Sequence, residues 1–139
     1  MNVRKGIIAG FAAGVLMMIS SIVVWSATQD YLAPIYESSA QLWKPMEIIW
    51  FEQMWALTIA EGILYGLVYS VLYNGIPGKN VNKGLVFAVI IWLVGTVPGM
   101  AITYITIAVP APIIVSWLFG GLINLLVMGI TLAFVYEKP

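Results

Sequence analysis

Four long, mostly apolar stretches, at about 6–28, 48–73, 85–107 and 113–136, constrain this sequence more than any other feature. A bilayer core about 30 Å thick is crossed by roughly 20 helical residues at about 1.5 Å each, and every stretch reaches that length. Within hydrocarbon each backbone N–H and C=O must find its partner inside the chain, which selects helices here. The expected fold is an all-α integral membrane protein. Its four transmembrane helices form two hairpins in a single transmembrane domain over 1–139, with no space left for a soluble domain. Composition agrees, with 62% of residues hydrophobic and 9% charged, against about 25% charged in an average soluble domain.

The polar residues that remain exclude several kinds of function. The chain has no Cys and no His, which removes disulfides, thiolate chemistry and the usual zinc, iron–sulfur and haem ligand sets. Six Lys and Arg balance six Asp and Glu without a basic tract, so nucleic acid is not an expected partner. Gly78-Lys79 lacks the spacing of a phosphate-binding loop and is followed by Asn80 rather than Ser or Thr. With no nucleophile–base set in view, neither an enzyme nor a cofactor is expected.

Orientation follows from the cationic residues, which are retained on the cytoplasmic side. Arg4, Lys5, Lys79, Lys83 and Lys138 fall on one side, whereas the other holds only Lys44 among Asp30, Glu37, Glu47 and the near-interfacial Glu52. Both termini are therefore expected in the cytoplasm of a cell with this chain in its membrane. The first stretch exceeds the 7–15 residues or so of a signal-peptide core and reads as an uncleaved helix. Trp25, Tyr31, Tyr36, Trp43, Trp50, Tyr104 and Trp117 would mark the outer headgroup level, and Tyr69, Tyr73 and Tyr136 the inner one.

Between Pro34 and Pro45, Glu37, Gln41 and Lys44 recur on one helical side while Ile35, Tyr36, Leu42 and Trp43 occupy the other. This predicts a short outer interfacial helix over about 34–44, flat on the headgroups or closing over a pocket. A weak internal echo, Lys5-Gly6-Ile7-Ile8 and Lys83-Gly84-Leu85-Val86, opens each half. It would fit a parallel duplication.

Glu61 is the ionisable residue nearest the middle of a span, and desolvation there favours a neutral carboxyl facing protein or water. Its helical face carries Trp50, Met54, Leu57, Tyr65, Val68 and Leu72, with Thr58 close by. Counted from the span ends, Ser20, Ser21, Thr96 and Asn124 fall near the same depth. An intramembrane polar site of Glu61, Asn124, Thr58, Thr96, Ser20 and Ser21 is thus expected, acting as helix glue, a proton or cation site, or a polar-ligand contact. Glu52 and Gln53, near the outer end of the second span, read as a capping pair or as an outer entrance. Glu52 lies on the opposite helical face from Glu61, so the two cannot pair within one helix.

Small-residue spacing repeats at Gly6, Gly10 and Gly14, at Gly62 and Gly66, and at Gly95 and Gly99. Such spacing lets helix backbones approach closely in lipid, within one subunit or between subunits. Pro98 should kink the third span. The leading functional expectation is a helix-packing accessory or assembly subunit, as a homo-oligomer or in a larger membrane complex in the lipid bilayer. The alternative is a small oligomeric transporter or channel whose midplane Glu61 takes a proton, cation or cationic solute.

Overall fold

A computed structural model describes residues 2–45 and 47–137; Lys138, counted above with the inner charges, lies outside them. The helices are α1 (Val3–Ser38), α2 (Ile48–Leu72), α3 (Val81–Ile91), α4 (Val97–Thr106) and α5 (Ala111–Tyr136). A single 3-10 turn spans Ala40–Leu42, and a π-helical segment, Trp92–Thr96, joins α3 to α4. Four helices are long and apolar enough to cross a membrane: α1, α2, the continuous unit Val81–Thr106, and α5.

The side chain of Asn2 caps α1, its Oδ1 accepting the Lys5 N–H at 3.0 Å. The helix does not end near residue 28, and no separate helix occupies 34–44. Instead α1 runs through Pro34 to Ser38, and only the 3-10 turn follows. Proline removes one N–H, the donor that would reach the Asp30 carbonyl, while its fixed φ still suits a helix. What rewards the continuation is packing. Leu32 is buried, and Ile35, Tyr36 and Trp43 close over Val109, Ile113 and Ile114 at the start of α5. The segment read as lying flat on the headgroups or closing over a pocket packs across the start of α5, with Trp43 half-buried.

The glycines of α1 and α2 face one another within the chain. A Cβ on Gly6 would lie 2.9 Å from the Gly66 carbonyl oxygen, on Gly10 2.6 Å from the Gly62 oxygen, and on Gly14 2.8 Å from the Ile59 Cα. These are backbone-on-backbone contacts that leave no space for any side chain. A second close approach joins Gly84 of α3 to Gly129 of α5, with Ala88 and Ala133 beside it. Helix α1 also packs on α5, so α1 and α5 form the middle of the molecule.

The main core lies toward the end that carries the N-terminus. Ala9, Ala13 and Met17, Tyr69, Phe87 and Ala88, and Leu125, Met128, Leu132 and Tyr136 meet there. Toward the other end the helices on either side separate. Residues 48–57 of α2 are all exposed, and α4 buries none of its residues. A Cβ on Gly95 or Gly99 would meet nothing within 4 Å, so this pair makes no helix seam within the chain.

The kink expected at Pro98 takes the form of a widened turn just before it. The Val97 N–H bonds the carbonyl of Trp92, five residues back. Proline cannot supply the next α-helical bond, and the wider turn relieves the crowding its ring would cause. The Trp92 indole N–H donates to the Leu118 carbonyl at 2.9 Å and ties the wide turn to α5.

Candidate functional site: a polar cleft between the helices

Asn124, on the α1-facing side of α5, joins two serines of α1. Its Oδ1 accepts the Ser20 hydroxyl at 2.7 Å, and its Nδ2 donates to Ser21 Oγ at 2.9 Å. Ser21 in turn donates to the Met17 carbonyl at 2.9 Å. Three of the residues matched by depth are therefore one hydrogen-bonded group, with both ends of the amide used.

Glu61 is not part of that group. Its Oε1 accepts the Tyr65 hydroxyl at 2.7 Å, a bond one turn along the same helix, and its side chain is exposed. It does face the same space. A cavity of about 170 Å³ is lined by Glu61 and Tyr65 of α2, Thr96 of the π-segment and Asn124 of α5, with Met17, Gly121 and Leu125 completing the wall. Gly121 lets Thr96 approach, since a Cβ there would lie 3.3 Å from Thr96 Cγ2. The wide turn thus presents Thr96 to the cleft.

A second cavity of about 250 Å³ adjoins it between α1 and α5, sharing Gly121 and Asn124 and extending along Ser21, Thr28 and Ser116 to Trp25, Tyr36 and Trp117. The aromatic residues at its far end form a connected group. Tyr36 stands edge-on to Trp25 with ring centroids 5.6 Å apart, Trp43 lies 5.2 Å from Tyr36 and 5.9 Å from Trp117, and the Trp117 indole N–H donates to the Tyr36 hydroxyl at 2.8 Å. A headgroup-level belt was the reading of these residues. Their mutual packing depends on the unbroken α1, which that reading lacked.

Three expected site residues lie elsewhere. The Thr58 hydroxyl donates to the Met54 carbonyl of its own helix at 2.9 Å and does not line the cleft. Glu52 and Gln53 are exposed on the outer part of α2 and line neither cavity. Tyr65, read from the sequence only as an apolar-face neighbour of Glu61, belongs to the site, and its four-residue spacing from Glu61 is the signal for such a bond. The chain matches no protein-family model, no curated protein and no solved structure.

Proposed function

We propose that this chain is a multi-pass protein of the cell membrane, arranged as two hairpins with both termini in the cytoplasm, in which Glu61 takes up and releases a proton or holds a small cation. The observation that carries this reading is the division of labour in the cleft. Asn124 links α1 to α5 through Ser20 and Ser21, whereas the bond that Glu61 makes stays within α2 and adds nothing between helices. A carboxyl group in a span is costly, and glue does not account for this one. Its exposure to a cavity lined from all four spans suits exchange with a mobile species. Infrared titration in lipid nanodiscs tests it: a carboxyl band absent from Glu61→Gln should disappear reversibly as pH is raised. A band that never responds would remove the proposal. Thiol labelling of a cysteine placed at Asn80, expected only from the cytoplasmic side, checks the orientation.

A second reading, a packing subunit of a homo-oligomer or larger complex, rests on α4. It buries no residue, and Gly95 and Gly99 open onto empty space, as a face awaiting another helix would. Mass measurement from native membrane in mild detergent should then show a fixed assembly. A monomer throughout would remove this reading.

A further inference from the structure

Glu61 heads a row of phenols. Tyr65 and Tyr69 follow it on α2, and Tyr73 just past its end, at four-residue steps, each side chain one turn along and about 40° round from the one before. The row begins in the cleft, where Tyr65 donates to Glu61 Oε1 at 2.7 Å, and ends where the Tyr73 hydroxyl donates to Glu137 Oε1 at 3.0 Å, just past α5. Between these ends Tyr69 is wholly buried, its ring held against Phe87, Tyr136 and Tyr73 at centroid distances of 5.2, 5.6 and 5.7 Å.

Among the described residues the Tyr69 hydroxyl has no hydrogen-bond partner. Packing does not explain it, because phenylalanine would fill the same ring site without stranding a hydroxyl, which costs about 1–3 kcal/mol. Buried hydroxyls in that situation are hydrated. Tyr69 bonds neither Tyr65 nor Tyr73, so linking the phenols takes a water on each side of it.

We propose that Glu61, Tyr65, Tyr69 and Tyr73, with water between successive phenols, form a proton relay from the cleft to Glu137 at the inner end of the bundle. The proposal rests on the reading that Glu61 exchanges a proton. In one passage the Tyr65 hydroxyl, which donates to Glu61 at rest, first turns toward the next water; the protonated Glu61 carboxyl then gives its proton to the Tyr65 oxygen as Tyr65 releases its own to that water. Each phenol and water likewise accepts one proton and releases one. Tyr73 hands the last to the Glu137 carboxylate, which gives it to bulk water, and rotation of the hydroxyls resets the row. Glu61 is left as a carboxylate, no phenolate accumulates, and no other reactant is needed.

The groups facing the row fit this. Around Glu61 the neighbours from other helices are Met17, Thr96, Gly121, Asn124 and Leu125, none of them charged. Around the inner end are Tyr136, Glu137 and Lys83, whose Nζ donates to the Tyr73 carbonyl at 2.7 Å and sits 4.0 Å from the Tyr73 ring centroid.

The test is proton flux into liposomes holding the pH dye pyranine, driven by a potassium gradient with valinomycin. Glu61→Gln should abolish the flux and Tyr69→Phe should slow it about tenfold or more, with unchanged melting and elution. Phe87→Leu, which disturbs the same packing but removes no hydroxyl, should keep the wild-type rate. A wild-type rate in Tyr69→Phe with Glu61→Gln silent would overturn the relay and leave the Glu61 site standing. So would absence of wild-type flux while the Glu61 infrared band titrates. If that band does not titrate either, the relay and the proposed function fall together.

Discussion

Along the α1–α2 seam, backbone meets backbone at Gly6, Gly10, Gly14, Gly62 and Gly66; along the π-segment and α4, the similarly spaced Gly95 and Gly99 have nothing within 4 Å of where a Cβ would stand. The difference lies in what stands opposite. Each glycine of α1 finds a carbonyl or Cα of α2 across a flat strip, so absent side chains on both helices let the backbones close. α4 has no such strip facing it within the chain. Small-residue spacing permits close approach, and a matching surface on the second helix converts the permission into packing.

The largest expected effect breaks the packed side of this comparison. Gly10→Leu would drive a side chain into the Gly62 oxygen and the Ile63 Cα, at 2.6 and 2.7 Å from its Cβ alone. No flexible side chain can yield there. The cost should exceed the roughly 3 kcal/mol of ordinary overpacking, seen as loss of the folded peak in size exclusion and of a cooperative melt. A normal melt would mean that the two helices are free to separate.

The extents of α2 and α5 were legible in the sequence. The stretch 48–73 became Ile48–Leu72 and 113–136 became Ala111–Tyr136, because an apolar run of spanning length fixes its own helix wherever its neighbours lie. Gly84 meeting Gly129 was missed, yet Gly84-x3-Ala88 and Gly129-x3-Ala133 carry the same spacing with alanine as the second small residue. At the other end local rules misled. Pro34 suits the first turn of a helix, and only the tertiary contacts of Leu32, Ile35 and Tyr36 show why α1 passes through it. Depth counting puts Ser20, Ser21, Thr96, Asn124 and Glu61 at one level; in the structure Thr96, Asn124 and Glu61 line one cavity, and Ser20 and Ser21 bond Asn124. It could not say that Glu61 bonds Tyr65 rather than Asn124, since the rotation of each helix about its axis is set by packing, not by depth.

A middle-sized effect is expected where α1 meets α5 through polar atoms. Asn124→Leu removes both bonds to Ser20 and Ser21. Interhelical hydrogen bonds in membranes contribute about 0.6–2 kcal/mol. The Ser20 hydroxyl can turn to its own helix, as the Ser21 hydroxyl already does toward Met17, so the loss should stay near the lower half of that range. Thermal melting in nanodiscs measures it. A loss as large as that of Gly10→Leu would make the polar layer, rather than the glycine seam, the principal tie between helices.

Gly99→Leu should change the stability of the single chain least, and it sharpens the comparison most. A Cβ there meets nothing within 4 Å, and glycine inside a helix is about 1 kcal/mol less favourable than a good helix former. The melting temperature of the isolated chain should therefore hold or rise slightly, the reverse of Gly10→Leu at an identical substitution type. If another helix covers α4 in the membrane, the same variant should lower the assembly's mass while leaving the monomer's melt intact, because the new side chain then occupies the space the partner needs. Melting and native mass measured on one preparation separate the cases. A large fall in melting for the monomeric species would show that α4 is packed within the chain, and the contrast between the two glycine runs would collapse.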